Sequence, residues 1–150
     1  MTLSERIDIR LLGAGDERVL ERVDADAFDD PIDTGRAREF LSDPRHHVAV
    51  AIDDGVVVGF ASGVHYVHPD KPVPELWVNE LGVASTHRQR GIGKAVLDCL
   101  LDAGRALGCT QAWVLTERDN VPAMRLYASI DGAQAPSDHV MISFLLDRPA

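Results

Sequence analysis

The stretch Arg88-Gln89-Arg90-Gly91-Ile92-Gly93-Lys94 combines three cations with two glycines. It follows an apolar strand-like run, Asn79-Glu80-Leu81-Gly82-Val83, and a polar turn, Ala84-Ser85-Thr86-His87. It opens a stripe of Ile92, Ala95, Val96, Cys99, Leu100, Ala103 and Leu107, which recur at helical spacing. A strand, a basic glycine-containing loop and a helix N-terminus can together hold phosphates. The first N–H groups of a helix have no intrahelical partner. The helix dipole adds about half a positive charge at the same place, and glycine lets a ligand approach the backbone. The bland reading of the same letters is an ordinary glycine-containing connection into a helix. Two phosphate loops can be excluded. A Walker loop needs Ser or Thr after Gly93-Lys94, and Ala95 stands there; a dinucleotide fingerprint needs a third Gly where Val96 stands.

Alternation along residues 75–83 places Leu76, Val78 and Glu80 on one strand face and Trp77, Asn79 and Leu81 on the other. Glu80 is therefore expected among apolar neighbours near the strand's C-terminal end, where α/β sheets commonly place their chemistry. Burial raises a carboxylate's pKa and suits it to take a proton near neutral pH. The alternative is a carboxylate that only binds a substrate ammonium.

The elements that must position these residues can be read along the chain. Ile7–Leu11 alternates as a half-buried strand, and a first helix is expected over Asp16–Ala27, with Asp16 as its cap. Pro31 interrupts, and Thr34 is the expected cap of a short second helix through Leu41, which stops before Pro44. Val48–Ile52 and Val56–Val64 form a hairpin about Asp53-Asp54-Gly55, with Gly59 and Gly63 as possible bulges or close approaches. Glu75–Val83 is the next strand, and the long helix then ends at Gly108. Ala112–Leu115 is a core strand, and a helix with Pro122 in its first turn closes at Gly132. A short strand around Ala133–Ala135 and a last strand over Val140–Leu146 complete the order.

At 150 residues, the chain suits one domain over residues 1–150. No apolar run approaches the roughly 20 residues that span a bilayer, and the N-terminus carries no signal core, so a cytoplasmic location is the default. A net charge of -9 argues against nucleic acid and suits a cationic substrate. Surplus acids that only keep the chain soluble are the alternative. Five Asp residues lie between Asp24 and Asp33. No His/Cys spacing suggests a metal site, and Cys99 and Cys109 read as buried thiols rather than a disulfide.

The loop resembles the [QR]-x-x-G-x-[GA] motif of the GNAT superfamily of N-acetyltransferases, with Arg88, Gly91 and Gly93 in its defined positions. The order β-α-α-β-β-β-α-β-α-β is similar to that superfamily's layout over nearly the whole chain. The resemblance implies an α/β (α+β) fold: a mixed, centrally splayed sheet of six to seven strands with about four helices on both faces. It implies acetyl-CoA as co-substrate. The pyrophosphate would be held by Arg88, Gln89, Arg90, Gly91, Ile92, Gly93 and Lys94, and the pantetheine arm by Leu81, Gly82 and Val83. Asn120, Ala123 and Leu126-Tyr127 match the family's later positions, where the Tyr commonly protonates the coenzyme A sulfur. Tyr127 is thus the expected general acid and Glu80 the expected base, with His139 as a rival on the last strand.

Residues Pro72–Val83 and His87–Ile92, Ala103–Gly108, and Asp119, Pro122, Ala123, Leu126-Tyr127 and Val140-Met141 look like the aminoglycoside 3-N-acetyltransferase family. That resemblance implies a small cationic amine substrate, bound by Asp29, Asp30, Asp33, Glu75, Glu80, Asp119, Asp138 and His139. Ile130-Asp131-Gly132 departs from the family's Leu-Gly, and the segment before the last strand is longer, so substrate choice is open. The alternatives are a GNAT enzyme acting on a polyamine, another small amine or a protein N-terminus, and a non-catalytic acyl-CoA-binding module. A homodimer is compatible with the resemblance.

Overall fold

A computed structural model describes residues 6–147. Among them, five strands form one open sheet in the order β1 (Ile7–Leu12), β2 (His46–Asp53), β3 (Val56–Tyr66), β4 (Glu75–Val83) and β5 (Ala112–Val114). Strands β1 to β4 pair antiparallel with their neighbours, and β4 pairs parallel with β5. The described residues also form three α-helices: α1 (Thr34–Ser42), α2 (Ile92–Ala106) and α3 (Val121–Ser129). Among the described residues, no helix is long and apolar enough to cross a membrane.

Helices cover both faces, as expected. Against one face, Ile92, Val96, Leu97 and Leu100 of α2 pack on Ala49, Ala51, Val58, Ala61, Leu76 and Val78. Leu76, Ile92, Leu100 and Val96 are fully buried, each worth about 1.5–3 kcal/mol relative to exposure. Against the other face, α1 and a short 3-10 turn, Glu17–Glu21, bring Ala37, Leu41 and Leu20 onto Val48, Val50, Val57 and Phe60. The periodicity of α2 and the sheet therefore serve one core, and α1 a second.

Several expectations are corrected. The helix over Asp16–Ala27 is only the turn Glu17–Glu21. Asp16 accepts from the Gly13 N–H, and Asp24 accepts from the Asp26 N–H, so these side chains draw the backbone into local turns. Arg22 and Asp24 instead exchange backbone hydrogen bonds with Val57, at 2.8 and 2.9 Å. The second helix is present, but Asp33 rather than Thr34 caps it, accepting from the Arg36 N–H at 2.8 Å. Neither the short strand at Ala133–Ala135 nor the last strand at Val140–Leu146 forms, so the described sheet has five strands rather than six or seven. Register shifts fall beside both Gly59 and Gly63.

Candidate active site

Strands β4 and β5 stay together for only three positions, Leu76–Ala112, Trp77–Trp113 and Val78–Val114. There β5 ends, whereas β4 continues to Val83, still paired to β3 on its other side. The outer edge of residues 79–83 thus has no strand partner among the described residues. Such an edge presents unpaired N–H and C=O groups that an extended, amide-bearing chain can pair with.

The splay coincides with a bulge. Ser62 faces Glu80 and Gly63 faces Val78, so Asn79 is an extra residue in β4. One inserted residue reverses the alternation. Leu81 and Val83 pack with Leu76 and Val78 on the α2 face. Glu80 and Gly82 are turned to the opposite face, where a side chain at Gly82 would meet Ala27 and Phe60. The expected apolar surroundings of Glu80 are therefore not found: it is exposed, on the face shared with Phe60 and residues 22–28. This corrects the burial argument for its basicity.

The loop that follows is tied down from two sides. Ala84 is fully buried and donates its N–H to the Val58 carbonyl at 2.8 Å. His87 Nε2 lies 2.7 Å from Asp53 Oδ2, and Arg6 Nη2 lies 3.0 Å from Asp53 Oδ1. Asp53 is 7% exposed, and its carboxyl is held below the usual carboxylate range by His87 first and Arg6 second. The Ser85 N–H donates to Asp26 at 3.2 Å. Hydrogen bonding from Ser85 above all, with a smaller contribution from the Arg88 charge, lowers the Asp26 pKa. Neither Asp26 nor Asp53 was singled out from the sequence. Asp53 reads there as a turn residue and Asp26 as one of five acids, and only the fold brings them under the loop.

Gly91 adopts φ 81°, a left-handed conformation that favours glycine, immediately before α2. The Ala95 N–H is the first to bond back, to the Gly91 carbonyl at 3.1 Å. The N–H groups of Ile92, Gly93 and Lys94 precede that bond and have no partner within the helix. Arg88, Gln89 and Lys94 are exposed and Arg90 partly so. Arg88 Nε also donates to the Val83 carbonyl at 3.2 Å, joining the loop to the strand edge.

Helix α3 sits beside this arrangement. Asn120 caps it, accepting from the Ala123 N–H at 3.2 Å. A Cβ on Gly93 would lie 3.3 Å from Leu126 Cδ2, so glycine there lets α3 approach the first turn of α2. The next residue, Tyr127, packs half-buried against the α2-side core, and burial pushes its phenol pKa up. It therefore keeps its proton through neutral and mildly alkaline pH.

The expected acids scatter. On the Glu80 face, a cavity of ≈ 380 Å³ is lined by Glu17, Glu21, Asp24 and Asp30 together with Leu20, Val23, Phe28 and Ile32. Asp29 is exposed nearby in sequence, and Asp33 is engaged as the α1 cap. Glu75 lies at the far end of β4, where its carboxylate meets His68 Nε2 at 2.7 Å, so it is not brought to Glu80. Asp119 lies in the exposed turn before α3. Asp138 and His139 pair at 3.5 Å in an exposed segment that joins no strand, so neither is brought to the splay. Cys99 and Cys109 are partly buried free thiols. No group of three His, Cys, Asp or Glu among the described residues is placed to hold a metal ion.

This geometry fits acetyl-CoA. The free edge of β4 suits the amides of a pantetheine arm, and the Gly91 turn with the α2 N-terminus suits a diphosphate. Residues 17–132 match the model of the acetyltransferase (GNAT) family. The N-alpha-acetyltransferase RimI of Mycobacterium tuberculosis is 32% identical over 129 residues, covering 85% of this chain and 78% of that protein. The L-2,4-diaminobutyric acid acetyltransferase of Nocardia farcinica is 31% identical over 134 residues, covering 85% and 67%. In structure, an aminoglycoside acetyltransferase, meta-AAC0020, from an uncultured soil metagenomic sample, solved with trehalose, shares the fold. Its TM-score is 0.78 at 18% identity, with 96% of this chain and 100% of that chain covered. Open-edged sheet, loop and family match agree: this chain belongs to the GNAT family of acetyltransferases, enzymes that use acetyl-CoA.

Proposed function

We propose that the chain acetylates an amine of an aminoglycoside antibiotic, at the 3-amino position, by direct transfer from acetyl-CoA in a ternary complex. When bound, acetyl-CoA supplies a thioester, a carbonyl activated toward amines. Leu81, Gly82 and Val83 bind the arm through the strand edge, and the backbone of residues 88–94 binds the diphosphate, with Asn120 and Ala123 flanking it. Glu80 takes the ammonium proton, directly or through water, so that the amine becomes nucleophilic. Its exposure gives a water-mediated path more weight than a desolvated base. Tyr127 holds a proton on Oη that is available to a departing thiolate.

One observation carries the choice of substrate. Glu80 shares a sheet face with a cavity lined by Glu17, Glu21, Asp24 and Asp30. Several carboxylates around one concavity complement a ligand with several ammonium groups. A second reading, a protein N-terminus or a small diamine as acceptor, is favoured by the identity to RimI and to the diaminobutyric acid acetyltransferase. The test is release of free thiol from acetyl-CoA, assayed with gentamicin and sisomicin beside polyamines, diaminobutyrate and N-terminal peptides. Thiol release with the aminoglycosides is expected. Silence on every compound with a free 3-amino group, with turnover of a peptide or diamine, would overturn this reading in favour of the second.

A further inference from the structure

The Asn79 bulge also decides what stands next to Glu80. In an unbroken strand, Trp77 and Glu80 point to opposite faces. With Asn79 inserted, Trp77 pairs with Val64 and Glu80 with Ser62, which are successive same-face positions on β3. Trp77 and Glu80 therefore share a face, about 7 Å apart along the strand, which is two residues of rise. One step the other way along β3 lies Phe60, stacked on Phe28 with ring centroids 3.7 Å apart, and Phe28 lines the acid-walled cavity. Trp77 is itself stacked on Trp113 of β5, at 4.7 Å and 11° between the ring planes. Glu80 thus stands between two aromatic pairs.

The two pairs differ in their surroundings. Phe60 is 3% exposed and belongs to the core beneath α1, with Phe28 packed against it. That core includes neither tryptophan. Trp77 is 37% exposed, although β4 is flanked by strands on both sides at this level. The stack is nonetheless held in one orientation. Trp113 donates its Nε1–H to Tyr66 Oη at 2.9 Å. The Tyr66 ring meets His68 edge-on at 5.3 Å, and His68 Nε2 lies 2.7 Å from the Glu75 carboxylate. An indole left open on an inner strand forgoes apolar burial. In return it presents a braced π surface that attracts cations.

We propose that Trp77 is a specificity-determining residue for the acceptor: braced by Trp113, its indole receives the amino-sugar ring next to the one whose amine meets Glu80. This rests on the reading of the acceptor as an aminoglycoside. Such a ligand spans three features along one face. Its outlying ammonium groups lie among the acids of the cavity beyond Phe28, its reacting amine lies at Glu80, and a ring with its ammonium substituents covers Trp77. The carboxylates supply charge, and the indole selects for a ring that carries charge.

Trp77 and Trp113 are the two tryptophans of the chain, so tryptophan emission reports on this stack alone. Adding sisomicin to the chain loaded with coenzyme A is expected to change that emission saturably. Trp77→Ala is expected to raise the KM for sisomicin about tenfold, the scale of a desolvated cation–π contact, with kcat and the KM for acetyl-CoA within about twofold of the parent. Trp77→Phe keeps a ring face and should recover most of the loss. General damage to the fold would not confine the effect to one substrate. If the parent chain turns over sisomicin but its emission does not respond, or Trp77→Ala leaves the sisomicin KM unchanged or raises that for acetyl-CoA equally, the role of Trp77 is overturned and the aminoglycoside reading stands. A parent chain silent on sisomicin and gentamicin, yet active on a diamine or peptide, overturns both.

Discussion

Replacing Tyr127 by Phe, or Glu80 by Gln, is expected to lower kcat for acetyl transfer at least tenfold, about 1.4 kcal/mol in barrier, with little change in acetyl-CoA affinity. Each change keeps the shape and removes the proton-transfer function proposed for that side chain. Tyr127 is half-buried against the α2-side core, and burial holds its phenol protonated. Its loss should therefore fall on departure of the thiolate. Glu80 stands on the other face of β4, turned there by the Asn79 bulge. Its loss should fall on the amine and weaken most below the pH at which the amine deprotonates unaided. Steady-state kinetics across pH check both. If both variants turn over within about twofold of the parent, neither side chain moves a proton in the reaction and the assignments are wrong.

The second large effect is on stability. Gly82→Ala is expected to cost about 3 kcal/mol, the upper end for overpacking, and to lower Tm by about 6–12 °C for a chain of this size. A Cβ at Gly82 would run into the Ala27 carbonyl oxygen and lie 2.9 Å from Phe60 Cε1. The first of these is backbone, so segment 22–28 must lift away. That segment carries Asp26 under the loop and Asp24 and Phe28 on the cavity wall. Activity should therefore fall together with Tm. A thermal melt with Tm within about 1 °C of the parent would show that the segment yields freely and is not held against β4.

What the letters disclose follows how local the physics is. The glycine turn into α2, β4 and α2 itself are legible because each depends on neighbours in sequence: glycine at the turn, alternation in the strand, apolar spacing in the helix. The Asn120 cap and the Pro122 start of α3 are legible for the same reason. The orientation of Glu80 is not. A single inserted residue reverses the strand's faces, and Asn79 carries no mark that distinguishes a bulge from an ordinary strand position. The missing helix at Asp16–Ala27 shows the same limit in another form. Its apolar spacing is helical, but Asp16 and Asp24 offer closer hydrogen-bond partners, and Val57 supplies a strand edge that only the fold creates. Asp53 and Asp26 support the loop from positions 34 and 59 residues distant from their partners in sequence. The run Val140–Leu146 has a strand's composition but joins no strand among the described residues.

Each assignment to a residue depends on one physical statement: the free edge of β4 and the N-terminal turn of α2 together hold acetyl-CoA. Isothermal titration of the purified chain with acetyl-CoA tests it most directly. Saturable binding at one site per chain, retained with Tyr127→Phe and Glu80→Gln, is the predicted result. Absence of binding at millimolar acetyl-CoA by a folded chain would contradict the account at its root.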